Sequence, residues 1–361
     1  MKYKNIYLVS LCVIGMLGIP VEKTIAGNED RSGQAGSPEL LINPWARSAG
    51  WGGANSANVQ GLEAIQQNVA GTAFTKKSEF LFSHSKYLGG TDININALGL
   101  TQQLGESSVI GLGLMSMSFG EVQITTTDLP EGGIGTYSPR VLNLGLSYAK
   151  AFSSSIYGGL NVKMISEGIS NVSAQGIAID MGIQYVTGIG NAKGGKKNTD
   201  NLKFGIALKN VGAPLHYSGD GLSFRTVLTT GDFTVQQRAE RFELPSLVNI
   251  GAAYDYKPTD DLRLTFASTF TSNSFSKDAF QFGVEGAFKQ YLMIRGGYYK
   301  EKKPKNSTSD DVTTIYAGPS AGISLLVPMG KGSSRSFSID YSARFTTKWD
   351  NIHSIGARIN L

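Results

Sequence analysis

Val141-Leu142-Asn143-Leu144-Gly145-Leu146-Ser147-Tyr148-Ala149-Lys150 puts an apolar side chain at every second position, with mostly Asn, Gly, Ser or Ala between. A β-strand turns successive side chains to opposite faces, so this stretch has one greasy face and one small or polar face. The pattern recurs along the chain. Ile177, Ile179, Met181, Ile183 and Tyr185 oppose Ala178, Asp180, Gly182 and Gln184, and Phe280, Phe282, Val284 and Phe288 oppose Gln281, Gly283, Glu285 and Ala287. Phe337, Ile339, Tyr341, Ala343 and Phe345 oppose Ser338, Asp340, Ser342 and Arg344. Period-two alternation runs through nearly the whole chain after Ser78, which assigns strands.

A soluble sandwich also alternates, so the placement of charge is the discriminating feature. Lys163, Asp180, Lys209, Asp255, Arg263, Glu285, Arg295, Asp340, Arg344 and Arg358 all fall on the small-residue face. A transmembrane barrel needs this division, because its outer face meets lipid while its inner face can be polar. The spacing predicts strands at 78–88, 93–104, 108–119, 139–151, 155–166, 176–188, 202–210, 246–257, 261–271, 279–289, 291–300, 314–328, 336–346 and 351–361. Most are near the 9 to 11 residues that cross a bilayer at a tilt. The expected fold is all-β, a transmembrane antiparallel barrel of about fourteen strands. Lys163, Asp180, Arg263, Glu285, Arg295, Asp340 and Arg344 are its expected lumen charges.

Composition agrees. The chain of 361 residues holds 45 glycines, and charged residues are only 17%, against roughly 7% Gly and a quarter charged on average. The one long apolar stretch, Ile6 to Ile19, follows Lys2 and Lys4 and precedes Thr24 and Ala26. That is the plan of a cleaved secretory signal. Three regions follow: a signal peptide at 1–26, an N-terminal extension and plug at 27–77, and the barrel at 78–361. Cys12, the single cysteine, lies in the signal, so disulfides and cysteine metal sites are excluded from the mature chain. The formal net charge of +5 is scattered, and its densest cluster, Lys193 to Lys197, reads as a solvated turn. Nucleic acid is therefore not an expected partner.

Turns between strands fall into two classes. Gly105–Ser107, Phe152–Ser154, Pro258–Asp260 and Lys289-Gln290 are tight, whereas Gly120–Ser138 and Val211–Pro245 are long, as in outer-membrane barrels with short periplasmic turns. The alternation alone leaves some connections without a consistent side. The chain ends Ser354-Ile355-Gly356-Ala357-Arg358-Ile359-Asn360-Leu361, which resembles the C-terminal assembly signal of bacterial outer-membrane barrels. Ser354, Gly356, Ile359 and Leu361 carry that resemblance, and it implies the assembly machinery as a partner.

The segment before the first strand has no such period. Ala46-Arg47-Ser48-Ala49-Gly50-Trp51-Gly52-Gly53-Ala54, Gly61-Leu62-Glu63-Ala64 and Asn68-Val69-Ala70-Gly71-Thr72-Ala73 resemble the N-terminal signature of the PorV/PorQ family, Bacteroidota outer-membrane barrels related to the FadL fatty-acid channels. Lys209-Asn210-Val211-Gly212-Ala213-Pro214 and Leu244-Pro245-Ser246-Leu247-Val248-Asn249-Ile250-Gly251 resemble its motifs around the longest loop. The family reads Asn-Pro-Ala-Gly where this chain has Asn68-Val69-Ala70-Gly71, which loosens that turn. The resemblance implies a hatch folded into the lumen, with Arg47, Gly50, Gly52, Gly53, Asn68 and Gly71 as its residues. Arg47 would pair with a lumen carboxylate such as Asp180 or Glu285, the alternative being solvent at the periplasmic mouth. It further implies a role in type IX secretion, binding a translocon or the C-terminal domain of a cargo protein through the long loops. A FadL-like passage for hydrophobic molecules is the alternative.

An enzyme is not expected. The three histidines are His84, His216 and His353. His353 and Ser354 are adjacent on a strand and point apart, so they cannot form a nucleophile–base pair. Asp260-Asp261 and Asp310-Asp311 read as solvated turn charges, no loop has the carboxylate alternation of a calcium site, and no cofactor is expected. Gly132-Gly133-Ile134-Gly135 precedes no helix, so no phosphate cradle is supported. Tyr148, Tyr185, Tyr254, Tyr256, Tyr298, Tyr299 and Trp349 near strand ends read as an interfacial girdle.

Overall fold

Strands with one lipid-compatible face and paired edges satisfy their backbone only by closing on themselves. The computed structural model describes residues 31–191, 197–228, 231–289, 291–302, 314–316, 318–330 and 335–361. The signal peptide at 1–26, most of the Lys193–Lys197 cluster, Gln290 and Asp310-Asp311 lie outside the described residues. In chain order the strands are β1 (Ser78–Lys86), β2 (Asn94–Leu104), β3 (Ser108–Ser118), β4 (Val122–Gln123), β5 (Thr136–Tyr137), β6 (Arg140–Ala151), β7 (Ile156–Ile169), β8 (Val172–Thr187), β9 (Leu202–Gly212), β10 (Leu215–His216), β11 (Ser223–Leu228), β12 (Gly231–Gln236), β13 (Arg241–Phe242), β14 (Leu247–Tyr256), β15 (Leu262–Asn273), β16 (Ala279–Phe288), β17 (Leu292–Glu301), β18 (Pro319–Pro328), β19 (Ser336–Arg344) and β20 (Ile352–Asn360). Fourteen of them form one closed antiparallel barrel in the order β1-β2-β3-β6-β7-β8-β9-β14-β15-β16-β17-β18-β19-β20, sealed where β1 pairs with β20. Among the described residues no helix is long and apolar enough to cross a membrane.

The two faces divide as the alternation requires. Leu142, Leu146 and Tyr148 point out from β6, while Asn143, Ser147 and Ala149 are buried inside. On β8, Ile177, Met181 and Ile183 are exposed and Ala178, Asp180 and Gln184 are buried. Carbon of this kind covering a whole wall marks a membrane surface. The wall is that of a membrane-spanning β-barrel.

The fourteen-strand order also gives every connection a consistent side. The tight turns after β2, β6, β14 and β16 share a rim with the start of β1 and the end of β20. The long segments after β3 and β9 lie at the opposite rim, where β4 pairs with β5, β10 with β13 and β11 with β12. We call these the terminal rim and the loop rim.

Strand limits differ from expectation by more than two residues in two places. β7 and β8 continue past the expected ends and meet across Ser170, whose φ is 52°, and Asn171. The run Ser166 to Gln175 lacks apolar alternation because it leads out of the apolar belt. The strand expected from 314 begins at Pro319, since the Gly318 N–H turns back to the Tyr316 carbonyl (2.8 Å). Tyr148, Tyr185 and Tyr256 are exposed at the terminal rim, and Tyr298 and Trp349 at the loop rim. Tyr299, also expected in the girdle, faces inward, because it follows outward Tyr298 on the same strand.

Candidate functional site

Residues 31–77 run through the barrel from one rim to the other. At the loop rim the Arg31 guanidinium meets Glu243 (2.6 Å) and Ala35 bridges Glu243. At the far end the Thr75 and Thr101 hydroxyls lie 3.0 Å apart, and the chain enters β1 at Ser78. Only short helical turns form on the way, Pro38–Leu41, Ala46–Gly50, Gly61–Glu63, Ala64–Gln67 and Val69–Phe74. Their free backbone groups are taken up by inner-wall side chains. Gln184 Nε2 donates to the Ser56 (3.3 Å) and Val59 (3.1 Å) carbonyls, Thr269 Oγ1 to Ala54 O (3.0 Å) and Ser320 Oγ to Gly50 O (3.1 Å).

Small inner-wall residues make this approach possible. A Cβ on Gly297 would lie 2.3 Å from Trp51 O, and one on Gly182 2.1 Å from Asn68 Oδ1. The same holds within the segment: a Cβ on Gly71 would meet Val59 O at 2.2 Å, and one on Gly50 would press on Gly322 Cα at 3.0 Å. Gly52 (φ 62°) and Gly53 (φ 90°) turn the chain through the left-handed region. Asn68 donates to Ser56 O (3.0 Å) and Ile183 O (3.2 Å) and accepts from Ala70 N–H (3.3 Å), so it caps the turn that lacks the family's proline.

Arg47 does not pair with Asp180 or Glu285. Its Nε meets Asp340 Oδ1 at 3.0 Å and Glu63 Oε1 at 3.9 Å. The Ala46–Gly50 turn packs on β18, β19 and β20, while Asp180 is engaged elsewhere by Lys163 Nζ (2.9 Å) and Asn161 Nδ2 (3.1 Å). Glu63 also contacts Arg358 and accepts from Ser48 Oγ (2.5 Å), and Arg358 Nη1 reaches Glu79 Oε1 (3.0 Å). Beside this cluster Glu285 receives Arg295 Nε (2.9 Å) and Arg263 Nη2 (3.3 Å). Lys163 further bonds Asn210, whose N–H donates to Asp180 Oδ1 (2.7 Å) at the register shift between β8 and β9. Arg344 lies apart at the loop rim, 3.7 Å over the Tyr316 ring. Removing these charges from water is tolerable because Arg47, Lys163, Arg295 and Arg358 each face a carboxylate.

Sequence reasoning missed two groups. Glu79 was legible in principle, since it shares the inward register of Leu81 and Ser83. Glu63, Glu39 and Ser37 sit in an aperiodic segment that carries no such signal. At the loop rim Ser37 Oγ donates to Glu167, which also accepts from Tyr217 OH (2.5 Å). Glu39 is buried nearby, and burial, reinforced by Glu167, lifts its carboxyl to about 7. Within the lumen a cavity of about 30 Å³ lies between Trp45, Ile65 and Met115 on one side and Asn143, Asn161 and Lys163 on the other. It has room for about one water molecule.

The C-terminal residues sit at the seam. Ser354 points inward and accepts from Ser85 Oγ (2.6 Å), a Cβ on Gly356 would lie 3.4 Å from Ala46 Cβ, Ile359 points outward, and the Leu361 N–H bonds Ser78 O (3.0 Å). His353 faces out, 2.7 Å from Tyr341 OH, and Ser354 faces in. His84 faces out beside Asn96 Oδ1 (2.8 Å), and His216 is exposed on β10.

The loop rim carries exposed carbon above the membrane belt. β11 and β12 form a hairpin in which Phe224 pairs with Val235 and Thr226 with Phe233 on one face. Phe224, Phe233, Val235 and, on the opposite face, Val227 are exposed, the last at 75%. Val122, Ile124, Leu129 and Ile134 are exposed in the loop between β3 and β6.

Known barrels share this architecture. The chain is similar to the toluene transporter TodX of Pseudomonas putida (14% identity, 87% of this chain and 96% of that one, TM-score 0.54) and to the toluene transporter TbuX of Ralstonia pickettii (13%, 87% and 96%, 0.52). It is also similar to a Pseudomonas aeruginosa FadL homologue (14%, 88% and 98%, 0.49). At these identities the likeness shows the fold alone. No curated protein matches the chain. The family model described as type IX secretion system membrane protein PorP/SprF matches residues 91–359. The family that the match shows is PorP/SprF; the finer PorV/PorQ naming is not shown by it. The match spans the barrel from β2 to β20, and the chain accordingly belongs to the PorP/SprF family of type IX secretion system membrane proteins.

Proposed function

We propose that the barrel is a non-enzymatic accessory of protein secretion that binds a translocon component or a cargo C-terminal domain through its loop rim, the role that its resemblance to PorV/PorQ implies. The observation that carries this reading is the exposed carbon of the β11–β12 hairpin and of the loop between β3 and β6. An isolated two-stranded hairpin is marginal in water, and solvated apolar side chains on it favour a partner surface. Within the extension and plug at 27–77, Arg47, Gly50, Gly52, Gly53, Asn68 and Gly71 seat the segment against the wall. The C-terminal residues Ser354, Gly356, Ile359 and Leu361 present the closing strand to the assembly machinery.

The test is capture from outer membranes by a tagged chain. Wild type is expected to recover a translocon barrel or a secreted protein, and Phe224→Ser with Phe233→Ser to lose it while the barrel still migrates as a heat-modifiable band. Recovery of neither by the wild type, or equal recovery by the double variant, would sink the reading.

The likeness to the toluene transporters in fold keeps a hydrophobic passage as the second reading. The segment threaded through the lumen and bonded to the inner wall weighs against it. Lipid or hydrocarbon retained inside the purified barrel, measured by mass spectrometry, would reverse the ranking.

A further inference from the structure

The outward faces of β6, β7 and β8 change character at one level of the wall. Leu146 (60% exposed), Met164 (59%) and Ile177 (56%) belong to the apolar belt. One residue pair higher, Leu142 faces Ser166 and Ser166 faces Gln175; one higher again, Arg140 faces Gly168 and Gly168 faces Ser173. A guanidinium thus stands on the lipid-facing side of the wall directly above the belt. A Cβ on Gly168 would meet nothing within 4 Å, so the space beside Arg140 is open.

That space is part of a cleft of about 790 Å³ between the Thr136–Ser138 stretch and the β7–β8 tip. Its lining is Arg140 with hydroxyl and amide groups of Thr136, Tyr137, Ser138, Ser170 and Asn171, and Leu142 at the edge of the belt. No carboxylate lines it. Glu121, on the loop nearby, is engaged by Thr136 Oγ1 (3.3 Å), and among the described residues Arg140 has no ion-pair partner.

We infer that this cleft binds the phosphorylated sugar headgroup of a glycolipid in the leaflet at the loop rim. The guanidinium fork matches a phosphate bidentately. The hydroxyl-rich walls and the volume suit a sugar better than a bare phosphate, and Leu142 continues into the belt where acyl chains lie. The cleft shares the loop between β3 and β6 with the proposed protein surface but not the β11–β12 hairpin, whose variants test that reading, so either proposal can fail alone.

Native mass spectrometry of the full chain in neutral detergent tests it, with bis-phosphorylated lipid A, dephosphorylated lipid A, phosphatidylglycerol and inorganic phosphate as probes. Wild type is expected to retain one bis-phosphorylated lipid A. Retention should fall about tenfold or more for the dephosphorylated form and for Arg140→Ala, the loss of a charge-assisted contact. Ser166→Trp, which fills the cleft and keeps the charge, should lower it by a similar factor, and Arg238→Ala should leave it unchanged. Retention equal to wild type by Arg140→Ala or by Ser166→Trp, retention of phosphatidylglycerol equal to that of lipid A, or binding of inorganic phosphate only would overturn the proposal.

Discussion

Arg47 and Asp340 show what a single buried residue does in this lumen. Asp340 is 1% exposed and accepts from Arg47 Nε and from Ser324. Asp340→Asn or Arg47→Ala strands an uncompensated charge, which costs about 3 to 5 kcal/mol when a buried pair loses one member. The expected outcome is a lower midpoint in urea unfolding of the refolded barrel. Glu39 behaves differently, because burial, reinforced by the nearby Glu167, shifts its carboxyl upward. Its folded value lies above the ordinary one of 4.5, so its contribution is complete below about 4.5 and is lost as pH rises through about 7. A spin label on Gln34→Cys is expected to gain mobility between about pH 5 and pH 8. Glu39→Gln should flatten that response, and an unchanged response would show that another group governs the anchor.

At the scale of the element, β16 carries two glycines with opposite duties. A Cβ on inward Gly283 would lie 2.6 Å from Trp51 Cε3, whereas one on outward Gly286 meets Leu264 Cδ2 at 3.6 Å. Gly283→Ala is therefore expected to lift the inner segment from the wall and to cost about 1 to 3 kcal/mol by overpacking. Gly286→Ala should leave stability within about 0.5 kcal/mol. Parallel denaturant titrations of the two variants decide it. β7 and β8 make a related point, since their length above the belt was invisible to a search for apolar alternation. Once both faces of a hairpin meet water, nothing forces every second side chain to be greasy.

For the molecule as a whole, the lipid belt and the threaded segment are separately testable. Leu146→Arg places a guanidinium in mid-belt and is expected to cost about 2 to 4 kcal/mol in vesicles, while Lys300 stands outward at a strand end near the rim. Equal tolerance of both positions would contradict the membrane assignment. The path of residues 31–77 predicts that an impermeant maleimide reaches Gln34→Cys from the same side as Val227→Cys. Glu106→Cys, in the β2–β3 turn, should be reached only from the other side.

Alternation by itself determined the fourteen barrel strands and which face of each meets lipid, because in a strand of period two the apolar face and the charged face separate. It placed Lys163, Asp180, Glu285, Arg295 and Asp340 inward for the same reason. Partners were another matter. Arg47 meets Asp340 and not Asp180 because barrel closure brings β18, β19 and β20 around the Ala46–Gly50 turn, and such neighbours are remote along the chain. The seating of the aperiodic segment and the cleft at Arg140 likewise arise only when strands distant in sequence are set side by side, which no local pattern encodes.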